Sequence, residues 1–319
     1  MQLFLHIICS CIAMHCTSLF LFSPCILFCC VFFFLLPNFL TMAPKKFVPS
    51  KNPITRRGSS STSSSSLSIP NRVRFCDANS QKDFVEYFCE RTIHSKHQVI
   101  LFDFPNTPLL GAFSSWGWES LYEKPIRCPI VFIQEFYSNM HAIDTFVPQF
   151  TTVFRSTRIV VTLNLLSSIQ RVPKVDHPDY PSHPCLRNIP RDELALLFYE
   201  KAMVWEDTLN FFTTEFAKGP RILNMVMTIV LTPRSHYNTI TEPCARFLLS
   251  LQEDLSIDFP SHMIVSMIDI YQDTTTGDKL IFPSAITRIL THLHVTITSS
   301  PLFYTMSAIS KESIRRSDV

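Results

Sequence analysis

Asp103, Asp269 and Asp273 come nearest to metal-dependent phosphodiester chemistry. That chemistry needs three carboxylates gathered around two metal ions. Asp103 ends the apolar run 99–102, and Asp269 and Asp273 stand four apart, able to share one helix face. The spacing indicates no further partner. A strand-end acid and a solvated helix face explain the three more simply. No Tyr-x-Asp-Asp sequence is present, and Asp273-Thr274-Thr275-Thr276-Gly277 separates Asp from Gly too widely for an aspartic-protease loop.

The best zinc candidate is Asp176-His177-Pro178-Asp179-Tyr180-Pro181-Ser182-His183-Pro184-Cys185. Imidazole and thiolate are good zinc ligands, but the spacing fits no common zinc module and the prolines explain an extended loop. Cys89, His94 and His97 form a weaker set, as do His292 and His294. A Cys–His nucleophilic pair requires one activated thiol, and no single cysteine stands out. Trp116 and Trp118 could stack on bases beside Lys124 and Arg127, yet a role as core anchors is favoured. The sequence therefore assigns no catalytic, cofactor-binding or metal residue, and the expectation is a non-enzyme without a cofactor.

Charge and composition divide the 319 residues. Residues 1–41 hold no Lys, Arg, Asp or Glu. Residues 42–72 hold Lys45, Lys46, Lys51, Arg56, Arg57 and Arg72 and no acid. The remainder keeps 22 basic and 26 acidic residues, a net of −4, so only the linker attracts phosphate by bulk charge. Only 5 glycines argue against glycine-rich phosphate loops, and 22 prolines predict short elements. The cysteines beyond the head, Cys76, Cys89, Cys128, Cys185 and Cys244, are scattered and read as free thiols.

Four segments follow: an apolar head at 1–41, a disordered basic, serine-rich linker at 42–72, a folded domain at 73–300 with a subdomain division near 173–190, and a flexible tail at 301–319. Residues 19–36 are long enough to span a membrane if they are translated. The basic run after them would then hold the body on the cytoplasmic side. A cleaved signal is a further reading, and Met42-Ala43-Pro44-Lys45-Lys46 offers an alternative start that leaves a nuclear or cytoplasmic protein. The start at Met42 is favoured.

In the body, Ser80 is read as a helix cap with Asp83 in capping-box position, ahead of an apolar stripe Phe84, Val85, Phe88, Cys89 and Ile93. Residues 98–104 read as a strand. Pro129 opens a helix over 130–140, and Thr162 caps one over 162–170. Residues 150–161 read as a hairpin turning at Arg155-Ser156-Thr157-Arg158. Helices are predicted at 191–204, 220–231, 243–253, 260–271 and 283–293. Pro220, Pro243, Pro260 and Pro283 mark four of their starts. The fold class is α+β, predominantly α-helical: a helical body with one small β-hairpin.

Short sequences in a fixed order carry a resemblance. Glu135-Phe136-Tyr137-Ser138-Asn139-Met140-His141 comes first, followed by Phe154-Arg155-Ser156-Thr157-Arg158-Ile159 and Lys218-Gly219-Pro220-Arg221. Pro233-Arg234-Ser235-His236-Tyr237-Asn238, Thr241-Glu242-Pro243 and Phe282-Pro283-Ser284-Ala285-Ile286-Thr287 complete the set. Together they resemble the putative plant transposon protein domain family over most of residues 70–300. Ser156-Thr157 stands where that family often has glycine. The resemblance implies origin in a plant retroelement and no established activity. The expected role is a non-enzymatic structural or interaction protein, partnered by itself or other retroelement proteins. The alternatives are a nucleic-acid-binding module using Lys45, Lys46, Arg56 and Arg57, and a degenerate metal-dependent nuclease.

Overall fold

A computed structural model of the chain describes residues 74–94, 97–104, 109–199, 210–234, 238–274, 278–295, 302–303 and 308–310. The chain divides between Ser64 and Ser65, and all of these residues lie in the second unit. The apolar head, the linker with its four basic candidates, residues 200–204 of one predicted helix and most of the tail lie outside the described residues. Among the described residues, no helix is long and apolar enough to cross a membrane.

Ten α-helices are described: α1 Ala78–Asp83, α2 Leu109–Ser115, α3 Ile130–Ser138, α4 Leu163–Gln170, α5 Pro184–Arg187, α6 Arg191–Leu196, α7 Lys218–Val226, α8 Glu242–Gln252, α9 Phe259–Gln272 and α10 Pro283–His292. The strands are β1 Cys128–Pro129, β2 His141–Asp144, β3 Gln149–Phe154, β4 Thr157–Val161, β5 Asn210–Phe212, β6 Thr239–Thr241 and β7 Leu302–Phe303. All named pairings are antiparallel, in the orders β2-β3-β4, β5-β6 and β1-β7. The helix-dominated α+β class is as expected, and the predicted hairpin is β3–β4, widened by β2.

Local chemistry explains these elements. Pro243 and Pro260 are second residues of their helices and Pro283 a first residue, where the missing N–H would have no intrahelical acceptor. Thr162 caps α4 by accepting a hydrogen bond from the Leu165 N–H at 3.3 Å. Gly117, at φ +66°, turns the chain from α2 towards the buried Trp118. A Cβ at Gly117 would stand 3.2 Å from Pro173 Cδ.

Several expectations are corrected. Asp77, not Ser80, caps α1: its Oδ1 accepts from the Ser80 N–H at 2.7 Å, and Ser80 is buried inside the helix. The chain widens into a π-helical turn over Phe84–Phe88, so the predicted stripe splits. Phe88 and Ile93 are buried, whereas Val85 and Cys89 face out. Residues 98–104 do not form a strand. Val99 makes one bridge to Ile309, and Leu101–Asp103 is a 3-10 turn that leaves Phe102 exposed. The hairpin turn is tighter than read: Phe154 pairs with Thr157, so Arg155 and Ser156 alone form the loop.

One buried apolar cluster joins residues on both sides of 173–190, from Phe88, Trp118, Phe136 and Phe150 to Phe247, Phe259, Ile264 and Ile286. Helix α4 packs on both α9 and α10, α9 packs on β3, and α10 packs on α3. This framework fixes α9 and α8, which supply much of the cavity wall described next.

Candidate functional site

The predicted acids do not converge. Asp103 ends its 3-10 turn, Asp269 lies on α9, and Asp273 follows α9 with its N–H bonded to the Asp269 carbonyl. Among the described residues no three His, Cys, Asp or Glu side chains could hold a metal ion. In the proline-rich segment, His183 Nδ1 lies 2.8 Å from Cys185 Sγ, and His177 does not join them. Burial, followed by repulsion from Glu253, pushes the Cys185 thiol up, which disfavours the thiolate a nucleophile needs. His292 and His294 are exposed at the end of α10. Trp118 is 1% exposed and packs on Phe113 and Phe259, so it cannot stack on a base.

His94, from the weaker zinc set, has a different place. Its Nε2–H donates to the Arg234 carbonyl at 2.9 Å, and burial pulls its pKa to about 4. It lines a cavity of about 690 Å³ between the 178–181 loop, the start of α8, α9 and the 278–281 segment. The α9 residues His262, Val265, Ser266 and Asp269 line it together, because positions i, i+3, i+4 and i+7 share one face.

The cavity holds a cation among rings. Arg234 Nη1 donates to Thr241 Oγ1 at 3.2 Å, and among the described residues the guanidinium pairs with no carboxylate. Its charge acts on Cys244, Tyr180 and His262. His262 stacks on Phe247 at 4.6 Å, and Tyr180 meets Phe247 edge-on at 4.9 Å. Burial, reinforced by Arg234, pulls His262 to about 4, so the ring is neutral at pH 7. Burial pushes Tyr180 up to about 12 and raises the Cys244 thiol despite Arg234. His262 Nε2 and Thr232 Oγ1 are both shut off from solvent without a hydrogen-bond partner.

The sequence reading missed this site. Arg234 and Thr241 appeared in it only as parts of family motifs. A cavity drawn from many separate stretches, from His94 to Ile281, leaves no local spacing to read.

The first family motif has a structural explanation. Residues Glu135 to Met140 are all buried at the end of α3. Glu135 Oε1 pairs with Arg74 Nε at 2.7 Å. The Tyr137 hydroxyl donates to the Ile281 carbonyl at 3.2 Å. Asn139 Nδ2 donates to the Arg74 carbonyl, and its Oδ1 accepts from the Cys76 N–H. These residues fasten α3 to the segment before α1 and to the entry of α10.

The profile of the putative plant retrotransposon-related domain matches residues 115–296, more than half of the chain. The chain belongs to that family. No curated protein and no solved structure matches it. Within the retrotransposon-related domain lie the three-stranded sheet, α3 to α10 and every named cavity residue except His94.

Proposed function

We propose that the chain is a non-enzymatic interaction protein of a plant retroelement, with a second copy of itself as first partner and other element proteins as further ones. One observation supports this reading. Phe146, 94% exposed, sits at the β2–β3 turn beside the exposed Val147. Asp144 Oδ1 accepts from the Phe146 and Val147 N–H groups at 2.9 and 3.0 Å, so the turn is held in shape before any partner arrives. An aromatic ring presented on a braced turn is suited to a contact and contributes nothing to the core. Light-scattering measurement of molecular mass tests this. The chain should associate with rising concentration, and Phe146→Asp should weaken association at least about tenfold, the usual scale for a contact anchor. A strict monomer that binds no other element protein overturns the reading.

A second reading rests on the linker. Six basic residues and no acid over 42–72 favour nucleic-acid binding through Lys45, Lys46, Arg56 and Arg57. Replacing those four by glutamine should then remove binding to single-stranded RNA together with its salt dependence. Unchanged affinity excludes it.

A further inference from the structure

We propose that the cavity beside α9 is a binding site for a small organic monocarboxylate with an apolar, ring-sized body. Its volume of about 690 Å³ lies in the range of small-molecule sites. Arg234 supplies the recognition element. A guanidinium has five N–H donors in a planar fork that matches a carboxylate. Here the donation to Thr241 Oγ1 is its side-chain hydrogen bond, and no acidic side chain neutralises it among the described residues.

Two orphaned polar atoms point to the same conclusion. Thr232 is 8% exposed, and its hydroxyl has no partner. His262 Nε2 is equally without one. Buried polar groups in folded proteins are nearly always partnered. Both residues line this cavity, so a ligand oxygen there would fill an unmet hydrogen-bonding capacity. The hydroxyl can donate to a carboxylate, and so can the imidazole if Nε2 carries the ring proton.

The walls and the remaining charges select the rest of the ligand. Phe247, Tyr180, Pro243 and Val265 offer an apolar surface beside the cation. Asp269 lies two turns along α9 from His262, about 10 Å at the helical rise. Its carboxyl is raised by burial, with no cation acting on it. Asp258 and Asp278 also line the cavity, against Lys279. Asp258 Oδ1 is already engaged by the Val175 N–H at 3.4 Å. Arg234, unpaired with any carboxylate among the described residues, can anchor one negative charge locally, whereas Asp258, Asp269 and Asp278 in the same lining disfavour a second one away from it. Nucleotides and other polyphosphates are therefore poor candidates, and a compact monoanion fits. The site is separate from the Phe146 turn, so neither proposal depends on the other.

Calorimetric titration of the chain with 3-phenylpropionate, its neutral amide and ATP provides the test. The acid should bind with a dissociation constant below about 1 mM, within the reach of a single charge-assisted anchor. The amide should bind at least about tenfold more weakly, and ATP not measurably. Arg234→Gln should weaken the acid at least about tenfold, while Arg234→Lys keeps part of the affinity. His262→Phe preserves the ring stack and should reduce affinity by a smaller factor. Absence of acid binding at several mM, equal affinity for acid and amide, or unchanged affinity in Arg234→Gln would each overturn the proposal. The acid–amide comparison uses the unmodified chain and decides even if a variant fails to fold.

Discussion

At the scale of single residues, the buried histidines couple stability to pH. His94 is 8% exposed and bound to the Arg234 carbonyl, with its pKa pulled down to about 4 by burial. The unfolded chain takes up that proton near pH 6.5, whereas the folded chain resists until about 4. The unfolded state therefore binds more protons across this window, and stability falls as pH falls from 6.5 towards 4. The loss is about 1.4 kcal/mol per pH unit for a fully separated pair of pKa values. His262 acts in the same direction. Urea unfolding at pH 7 and pH 5 should show the decline. His94→Gln, which can still donate to the Arg234 carbonyl but does not titrate, should flatten it. Glu135 illustrates the opposite sign. Burial raises its carboxyl in spite of Arg74, so its ionisation at neutral pH opposes folding rather than driving it.

At the scale of elements, the β3–β4 turn carries the clearest backbone strain. Arg155 and Ser156 have φ of 47° and 68°, the arrangement a two-residue hairpin loop demands and non-glycine residues resist. Arg155 gains a compensating contact, its guanidinium lying 4.2 Å from the centre of the Phe132 ring. Among the described residues, Ser156 makes no side-chain hydrogen bond or ring contact that would compensate it. Ser156→Gly should therefore stabilise the chain by about 1 kcal/mol in chemical denaturation. Thr162→Ala removes the side-chain acceptor for the Leu165 N–H at the start of α4 and should cost about 1 kcal/mol by the same measurement. Both sites belong to elements legible in the sequence, because caps, turn residues and prolines act over three or four positions. The readings that failed share a cause. Ser80 and residues 98–104 satisfied a local pattern, but Asp77 was the better-placed acceptor. The strand pattern at 98–104 met only one residue of a distant segment, Ile309.

At the scale of the whole molecule, one apolar cluster holds α2, α3, the sheet and α8 to α10 together. Trp118 lies at a junction of that cluster, 1% exposed, with ring centres 5.9 Å from Phe113 on α2 and 5.1 Å from Phe259 on α9. Trp118→Ala should cost about 3–5 kcal/mol, a large share of the ~5–15 kcal/mol that stabilises a typical domain. Far-ultraviolet and near-ultraviolet circular dichroism should lose signal at one shared midpoint lower than that of the unmodified chain. Separate midpoints would show that the two sides of 173–190 unfold independently.

The sequence by itself determined the helix-rich α+β class, the hairpin over 150–161, the cap at Thr162 and the proline-led starts of α8, α9 and α10. It also carried the family, through short motifs, the first of which ties α3 to the segment before α1 and to the entry of α10. Each of these is written in neighbouring positions, where hydrogen-bond geometry and side-chain periodicity act directly. Only the tertiary structure decided that Glu135 meets Arg74, that Phe146 stands out on a braced turn, and that Arg234, His262 and Thr232 face one cavity. Those relations join segments tens of residues apart. Their distances follow from how helices and strands pack around the common core, which local spacing does not encode.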